Sequence, residues 1–159
     1  MAIIYETKNF IVESFDSATP HVSREDGGHL RIRPKKDITD RTAMEPKIAI
    51  ECMRLTMVAG EALKYAMTKQ GIEIMRVNYQ DMGNWAYKSK RQPFFHIQVY
   101  GRAKDAKFQP YQEAVNLPDR STGFFDKFLP LNETDIKLIR EEIERLFKQE
   151  KYQDKNWGL

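Results

Sequence analysis

The sequence predicts an α+β fold: an antiparallel sheet of about five strands, a long helix after the second of them, and a C-terminal helix. Two observations predict it. Short runs that alternate apolar and polar residues are joined by turn-rich stretches, which is typical of antiparallel neighbours. Two longer segments, 46–70 and 132–151, repeat their apolar residues at helical spacing.

The first two predicted strands cover residues 9–14 and 28–34. Between them lies a turn-rich stretch that contains Pro20 and the pair Gly27-Gly28. A connection of this kind, without a helix, predicts that the two strands are antiparallel.

The long helix is predicted from Pro46 to Gln70, and Gly71 follows as its C-terminal cap. Its apolar stripe includes Cys52, which we expect to be a small buried hydrophobic residue and not a nucleophile. As the only cysteine in the chain, it excludes an internal disulfide and a multi-cysteine metal site.

A third strand is predicted from Ile72 to Tyr79, so Asn78 is expected near its end. A loop with Gly83 and several basic residues follows, and then a strand that extends to Arg102. The simplest pairing of these two strands is antiparallel, which would bring Asn78 close to His96.

Residues 103–131 contain prolines and a glycine without a long periodicity, which predicts an irregular segment with one short helical turn that covers the site. The last helix, over 132–151, begins with Asn132 as its cap and Asp135 at the third position, which is a capping-box pattern.

At 159 residues, the chain has the length of a single domain, 1–159, with its core in residues 10–102. No apolar run approaches the roughly 20 residues that a membrane helix needs, and no secretory signal is recognisable, so the cytoplasm is the expected location. The net charge of +3 is too small to indicate nucleic-acid binding by itself.

The strand around His96 carries the predicted site. Because side chains alternate along a strand, Phe95, Ile97 and Val99 form an apolar face that belongs in a core. The opposite face places the imidazole of His96 and the carboxamide of Gln98 about 7 Å apart, where both could contact one small anionic group.

The order of these features resembles the histidine triad superfamily of nucleotide hydrolases and transferases. Residues 28–36, Gly-His-Leu-Arg-Ile-Arg-Pro-Lys-Lys, resemble the family's first motif strand. A helix, a strand with Asn78, a loop with Gly83 and the alternating strand then follow in the family's order. The likeness covers about residues 10–102 and implies the histidine triad fold.

The family alternates histidine with apolar residues three times, and the corresponding positions here are Phe94, His96 and Gln98. Glutamine at the third position is also found in the branches similar to galactose-1-phosphate uridylyltransferase and diadenosine tetraphosphate phosphorylase, whereas Phe94 departs from the pattern. The resemblance implies that His96 is the nucleophile that attacks the α-phosphorus of a nucleotide, assisted by Gln98.

The resemblance also implies the remaining features of the site. It requires no metal or other cofactor, and it predicts a nucleotide, dinucleoside polyphosphate or nucleotide-sugar ligand and a homodimer paired edge to edge. The candidates for the ribose-binding acid are Asp16 and Asp26. The candidate phosphate- and nucleotide-binding residues are Asn78, Lys90, Arg91 and His29, and Trp85 and Phe94 are candidates for stacking on a base.

A carboxamide donates a hydrogen bond but cannot deliver a proton, so nucleoside polyphosphates, dinucleoside polyphosphates and nucleotide sugars are predicted to be better substrates than phosphoramidates. Two alternatives remain open. Phe94 and Gln98 also fit a protein that binds nucleotides without turnover. A nucleic-acid-binding module is the less favoured interpretation. It would use two basic clusters, one of Lys88, Lys90 and Arg91 and the other of Arg31 and Arg33.

Overall fold

A single five-stranded antiparallel sheet organises the computed structural model, which describes residues 2–15 and 19–159. The strand order is β1-β2-β3-β5-β4. The predicted fold class is therefore confirmed. The elements are β1 (Ala2–Glu6), β2 (Phe10–Ser14), β3 (His29–Pro34), α1 (Pro46–Lys69), β4 (Ile74–Asp81), β5 (Ile97–Ala103) and α2 (Glu133–Phe147).

Both long helices pack against one face of the sheet and against each other. The apolar face of the His96 strand lies in this core, with Phe95 and Val99 almost completely buried. Cys52 is also buried, as predicted, and burial raises the pKa of its thiol to about 11. A thiol with so high a pKa is a poor nucleophile at neutral pH.

The helix ends follow the predicted capping residues. Gly71 follows α1 with a φ of +80°, a conformation that glycine adopts without strain. Asn132 and Asp135 form the capping box of α2. This helix ends at Phe147, earlier than predicted, and a separate 3₁₀ turn over Glu150–Tyr152 follows it.

Two strands differ from the prediction. Strand β1, which forms by antiparallel pairing with β2, has no counterpart among the predicted strands. Strand β4 continues to Asp81, so Asn78 lies within the strand, opposite Tyr100, and not at its end. Hydrogen bonding to β5 sets these bounds, and local propensity does not report such pairing.

Segment 19–28 is held close to β5 through glycines. The Gly101 amide donates to the Gly28 carbonyl at 3.0 Å. A Cβ atom on Gly101 would lie 2.1 Å from the carbonyl oxygen of Gly27, so only glycine permits this approach. The contact brings His21 beside the His96 strand.

The segment that follows β5, residues 104–131, is irregular, with one short 3₁₀ turn over Arg120–Thr122. Two buried charged residues hold the first part of this segment. The Asp26 carboxylate accepts the backbone N–H groups of Lys107, Phe108 and Gln109. The Arg102 guanidinium donates to the carbonyls of Gln109, Pro110 and Glu113.

In the described parts of the chain, no helix combines the length and apolar character needed to cross a membrane.

Candidate functional site

A cavity of about 230 Å³ opens on the sheet face opposite the helices. Its lining residues come from the strand around His96 (residues 94–102, from here on the motif strand), from β3, from the 82–92 loop and from segment 19–28. Its lining residues are His21, Arg31, Met82, Gly83, Asn84, Trp85, Ala86, Ser89, Arg91, Gln92, Phe94, His96 and Gln98.

His96 is partly buried at the start of the motif strand, just before β5. Its Nδ1 lies 3.0 Å from the carbonyl oxygen of Phe94. A carbonyl oxygen can only accept, so Nδ1 carries the proton and Nε2 of the neutral ring carries a lone pair. Burial lowers the pKa of His96 below its ordinary value, which favours the neutral ring at pH 7.

His29 is buried behind Gln98 and is not among the residues that line the cavity. Its Nδ1 accepts the backbone N–H of His21 at 3.1 Å, so its proton is on Nε2. That Nε2–H donates to Oε1 of Gln98 at 2.6 Å. Burial keeps the pKa of His29 well below its ordinary value. The hydrogen bond from His29 occupies Oε1 of Gln98, so the NH₂ group of this amide is available as a donor to the cavity.

His21, which sequence reasoning missed, also lines the cavity. Its Nδ1 lies 2.9 Å from the hydroxyl of Tyr100, and its carbonyl accepts from the Gln109 side chain. Burial lowers the pKa of His21 to about 4, so its ring is neutral at pH 7. No periodic pattern could have placed this residue, because a loop carries it to the site.

The structure separates the two predicted cations. Arg91 lines the cavity, whereas Lys90 does not and instead ends the 3₁₀ turn over Asn84–Ser89 with a φ of +53°. Arg31 also lines the cavity, with its guanidinium bonded to Glu13.

Asn78 is not at the cavity, which corrects the expectation that it lies close to His96. Its Oδ1 accepts from Arg102 at 2.7 Å, and its strand neighbour is Tyr100, further along β5 than Gln98. Of the two candidate acids for a ribose, Asp26 is fully buried and accepts the three backbone N–H bonds described above. The other, Asp16, lies outside the described residues.

Other grooves formed by the described residues differ from this cavity in the groups that they contain. A larger groove of about 550 Å³ beside Arg54 and Tyr152 contains no histidine. Within residues 2–15 and 19–159, no cluster of three histidine, cysteine or acidic side chains is arranged to hold a metal ion. The small cavity at His96 is therefore the candidate site.

Comparison by sequence finds no matching protein-family model and no matching curated protein. Comparison of structures does find matches. A Hit-like protein involved in cell-cycle regulation from Bartonella henselae, with an unknown ligand, superposes with a TM-score of 0.55 at 16% identity, over 88% of this chain and 85% of that chain. A hypothetical histidine triad nucleotide-binding protein from Sulfolobus tokodaii gives a TM-score of 0.55 at 16% identity, over 92% and 85%.

This chain has the histidine triad fold. A Zn-bound histidine triad family protein from Mycobacterium smegmatis has the same architecture, with a TM-score of 0.50 at 20% identity over 92% of this chain and 87% of that chain. The predicted resemblance in fold is therefore confirmed, over more of the chain than residues 10–102.

Proposed function

We propose that this histidine triad protein binds nucleotides and cleaves or transfers them at the α-phosphate through a nucleotidyl-histidine on His96. The observation that carries the proposal is the hydrogen bond from Nδ1 of His96 to the Phe94 carbonyl. It leaves Nε2 with its lone pair beside the cavity, as a nucleophilic imidazole requires.

The reaction proceeds as two displacements. In the first, the Nε2 lone pair forms an N–P bond while the bond from phosphorus to the leaving oxygen breaks, and that oxygen keeps the electron pair. In the second, another phosphate or a water molecule, which releases a proton to the solvent, attacks phosphorus, and the N–P bond returns its electron pair to Nε2. The amide of Gln98 and the guanidinium of Arg91 stabilise charge on the phosphoryl oxygens.

The cavity is smaller than the roughly 300–1,000 Å³ of sites that enclose drug-sized ligands. It suits the reacting phosphate with part of the leaving group, so the nucleoside extends beyond it. As Gln98 cannot supply a proton, nucleoside polyphosphates, dinucleoside polyphosphates and nucleotide sugars remain the preferred substrate classes over phosphoramidates.

Phe94 stands where the family has its first histidine, and this replacement raises the question of whether the site can turn over a nucleotide. The group that orients His96 is the main-chain carbonyl of Phe94, and any residue supplies a carbonyl. The phenylalanine side chain contacts the His96 ring, with centroids 4.8 Å apart. The loss of histidine at this position therefore leaves the orienting bond in place, which favours the enzyme over a binding protein without turnover.

Ion pairs weaken the nucleic-acid alternative. Glu13 pairs with both Arg31 and Arg33, and Asp119 pairs with Lys88. Cations that are already paired release fewer counterions from a phosphate backbone, so these basic clusters offer less nucleic-acid affinity than their sequence implies.

We also propose a homodimer that pairs through β4, because β4 is a free edge of the sheet. Met75 and Tyr79 on β4 and Met53 on the neighbouring α1 are all exposed. At the other edge, Arg140 donates to the carbonyls of Ile3 and Ile4 in β1 and so occupies part of that strand's main chain.

Intact-protein mass spectrometry tests the nucleophile. Wild type and His96→Ala are mixed with adenine, guanine and uridine polyphosphates, dinucleoside polyphosphates and nucleotide sugars, and the reaction is quenched without acid to preserve the N–P bond. We expect a nucleoside-monophosphate adduct on wild type alone. Phe94→Leu is the matched control, and it should still form the adduct because the carbonyl is retained.

The outcomes separate the candidate functions. Binding of nucleotide without an adduct or turnover in any protein would support the binding module. A steep loss of affinity with salt, together with insensitivity to His96→Ala, would support nucleic-acid binding.

A further inference from the structure

We propose that His21 is a second catalytic imidazole, which donates a hydrogen bond from Nε2 to the leaving oxygen during cleavage of the phosphate bond. This inference rests on the proposed function, and it assigns to a loop residue a donor for the leaving oxygen, in addition to the Gln98 amide that stabilises the phosphoryl oxygens. It starts from the position of His21 in the cavity wall, together with His96 and Gln98.

The protonation of His21 follows from its partners. Nδ1 lies 2.9 Å from the Tyr100 hydroxyl, and the only other neighbour of that hydroxyl among the described hydrogen bonds is the Met82 sulfur at 4.0 Å. The hydroxyl can donate to only one of these two groups; because a thioether is a weak acceptor and the imidazole nitrogen is closer, we assign the hydroxyl as the donor to Nδ1 of His21. The neutral ring then carries its proton on Nε2. Burial raises the pKa of Tyr100, which keeps the phenol protonated in this role.

The ring of His21 is held in place on several sides. It stacks on His29 with centroids 5.1 Å apart, and the Trp85 ring meets it edge-on at 5.6 Å. Phe125 lies at 5.5 Å. A donor fixed before substrate binds is effective, because no reorganisation is needed when charge develops on the leaving oxygen.

The step involves a hydrogen bond and no net transfer of the His21 proton. As Nε2 of His96 bonds to phosphorus, the electron pair of the breaking P–O bond moves to the leaving oxygen, which accepts the hydrogen bond from Nε2–H of His21. The leaving group departs as an anion. The contribution of His21 is therefore largest for leaving groups that carry the most negative charge on that oxygen, those whose conjugate acids are weak.

The test varies the leaving group and the donor. Wild type, His21→Phe and Tyr100→Phe react with aryl esters of AMP whose phenols differ in acidity, and the rate of adduct formation on His96 is followed by mass spectrometry. His21→Phe keeps an aromatic ring but removes the donor. We expect roughly a 10²-fold loss of rate for the least acidic phenol and a much smaller loss for the most acidic one. Tyr100→Phe should show the same trend with a smaller amplitude.

An equal loss across the series would overturn the proposal, since a purely structural role cannot depend on the leaving group.

A second measurement does not need turnover: ¹⁵N NMR of the His21 ring, with AMP as the probe. Protonation at Nε2 and a shift of its signal on addition of AMP support the proposal. Protonation at Nδ1, or no response to AMP, overturns it. Absence of adduct in wild type would instead refute the proposed function of His96, and the NMR result would still decide the role of His21.

Discussion

At the scale of single residues, the site depends on hydrogen bonds that come from outside the motif side chains. His96 is oriented by a main-chain carbonyl, and Gln98 is oriented by His29. His29 is in turn fixed by the main-chain N–H of His21. The polar face of the motif strand is thus set by a network whose members lie in three separate segments of the chain.

Replacing Gln98 with glutamate tests this orientation. Gln98→Glu keeps an oxygen that accepts from His29, but it replaces the NH₂ donor with a negative charge facing a phosphate. We expect AMP to bind roughly 10²-fold more weakly by isothermal titration calorimetry, since a charge-assisted donor contact becomes a repulsion. Gln98→Asn, which keeps the neutral amide, is the control. Equal affinity of wild type and Gln98→Glu for AMP would show that the amide does not face the phosphate.

At the scale of elements, the two sheet edges differ. Arg140 of α2 donates to main-chain carbonyls of β1, whereas β4 presents a free edge beside the exposed Met53 of α1. Next to this edge, Tyr79 and Phe95 help to line an apolar groove of about 430 Å³. A second copy that pairs along β4 would cover both the edge and the exposed apolar residues.

We therefore expect sedimentation velocity to show a dimer that Met53→Glu weakens by at least about tenfold in Kd, because the new carboxylate would be buried unpaired at the interface. Met53 is 57% exposed in the single chain, so the substitution should not affect folding. Leu129→Glu, at a position 51% exposed in the irregular segment, is the matched control and should leave the dimer intact. A wild-type protein that is monomeric at all concentrations would contradict the β4 interface.

At the scale of the whole molecule, all three histidines lie at one region of the sheet, and burial lowers the pKa of each. Below pH 6.5 the unfolded chain protonates its histidines, while the folded chain holds His21 neutral to about pH 4, and burial also holds the pKa of His29 well below its ordinary value. The unfolded state then binds more protons, so the free energy of unfolding falls as pH falls.

We expect urea unfolding to show full stability above about pH 6.5 and a decline between pH 6.5 and 4, with a slope of up to about 1.4 kcal/mol per pH unit from His21; the lowered pKa of His29 makes the decline steeper. In His21→Phe, the unfolding free energy should change less steeply with pH, because the contribution of His21 to the slope is removed. A flat profile across this interval would mean that the buried histidines are protonated in the folded state.

The sequence by itself determined both long helices, the capping box of α2 and the two faces of the motif strand, and with them the choice of His96 and Gln98 as candidate site residues. Periodicity and capping are local, because they depend on side chains a few residues apart. Phe95 and Val99 could be assigned to the core from the sequence because side chains alternate between the two faces of a strand.

Tertiary structure alone decided the rest. The bounds of β4 depend on pairing with β5, so Asn78 lies within the strand, bonded to Arg102 and away from the cavity. His21 reaches the site because Gly27 and Gly101 let a loop approach the sheet. These contacts join residues far apart in the chain, and their energy comes from partners that no local pattern can identify.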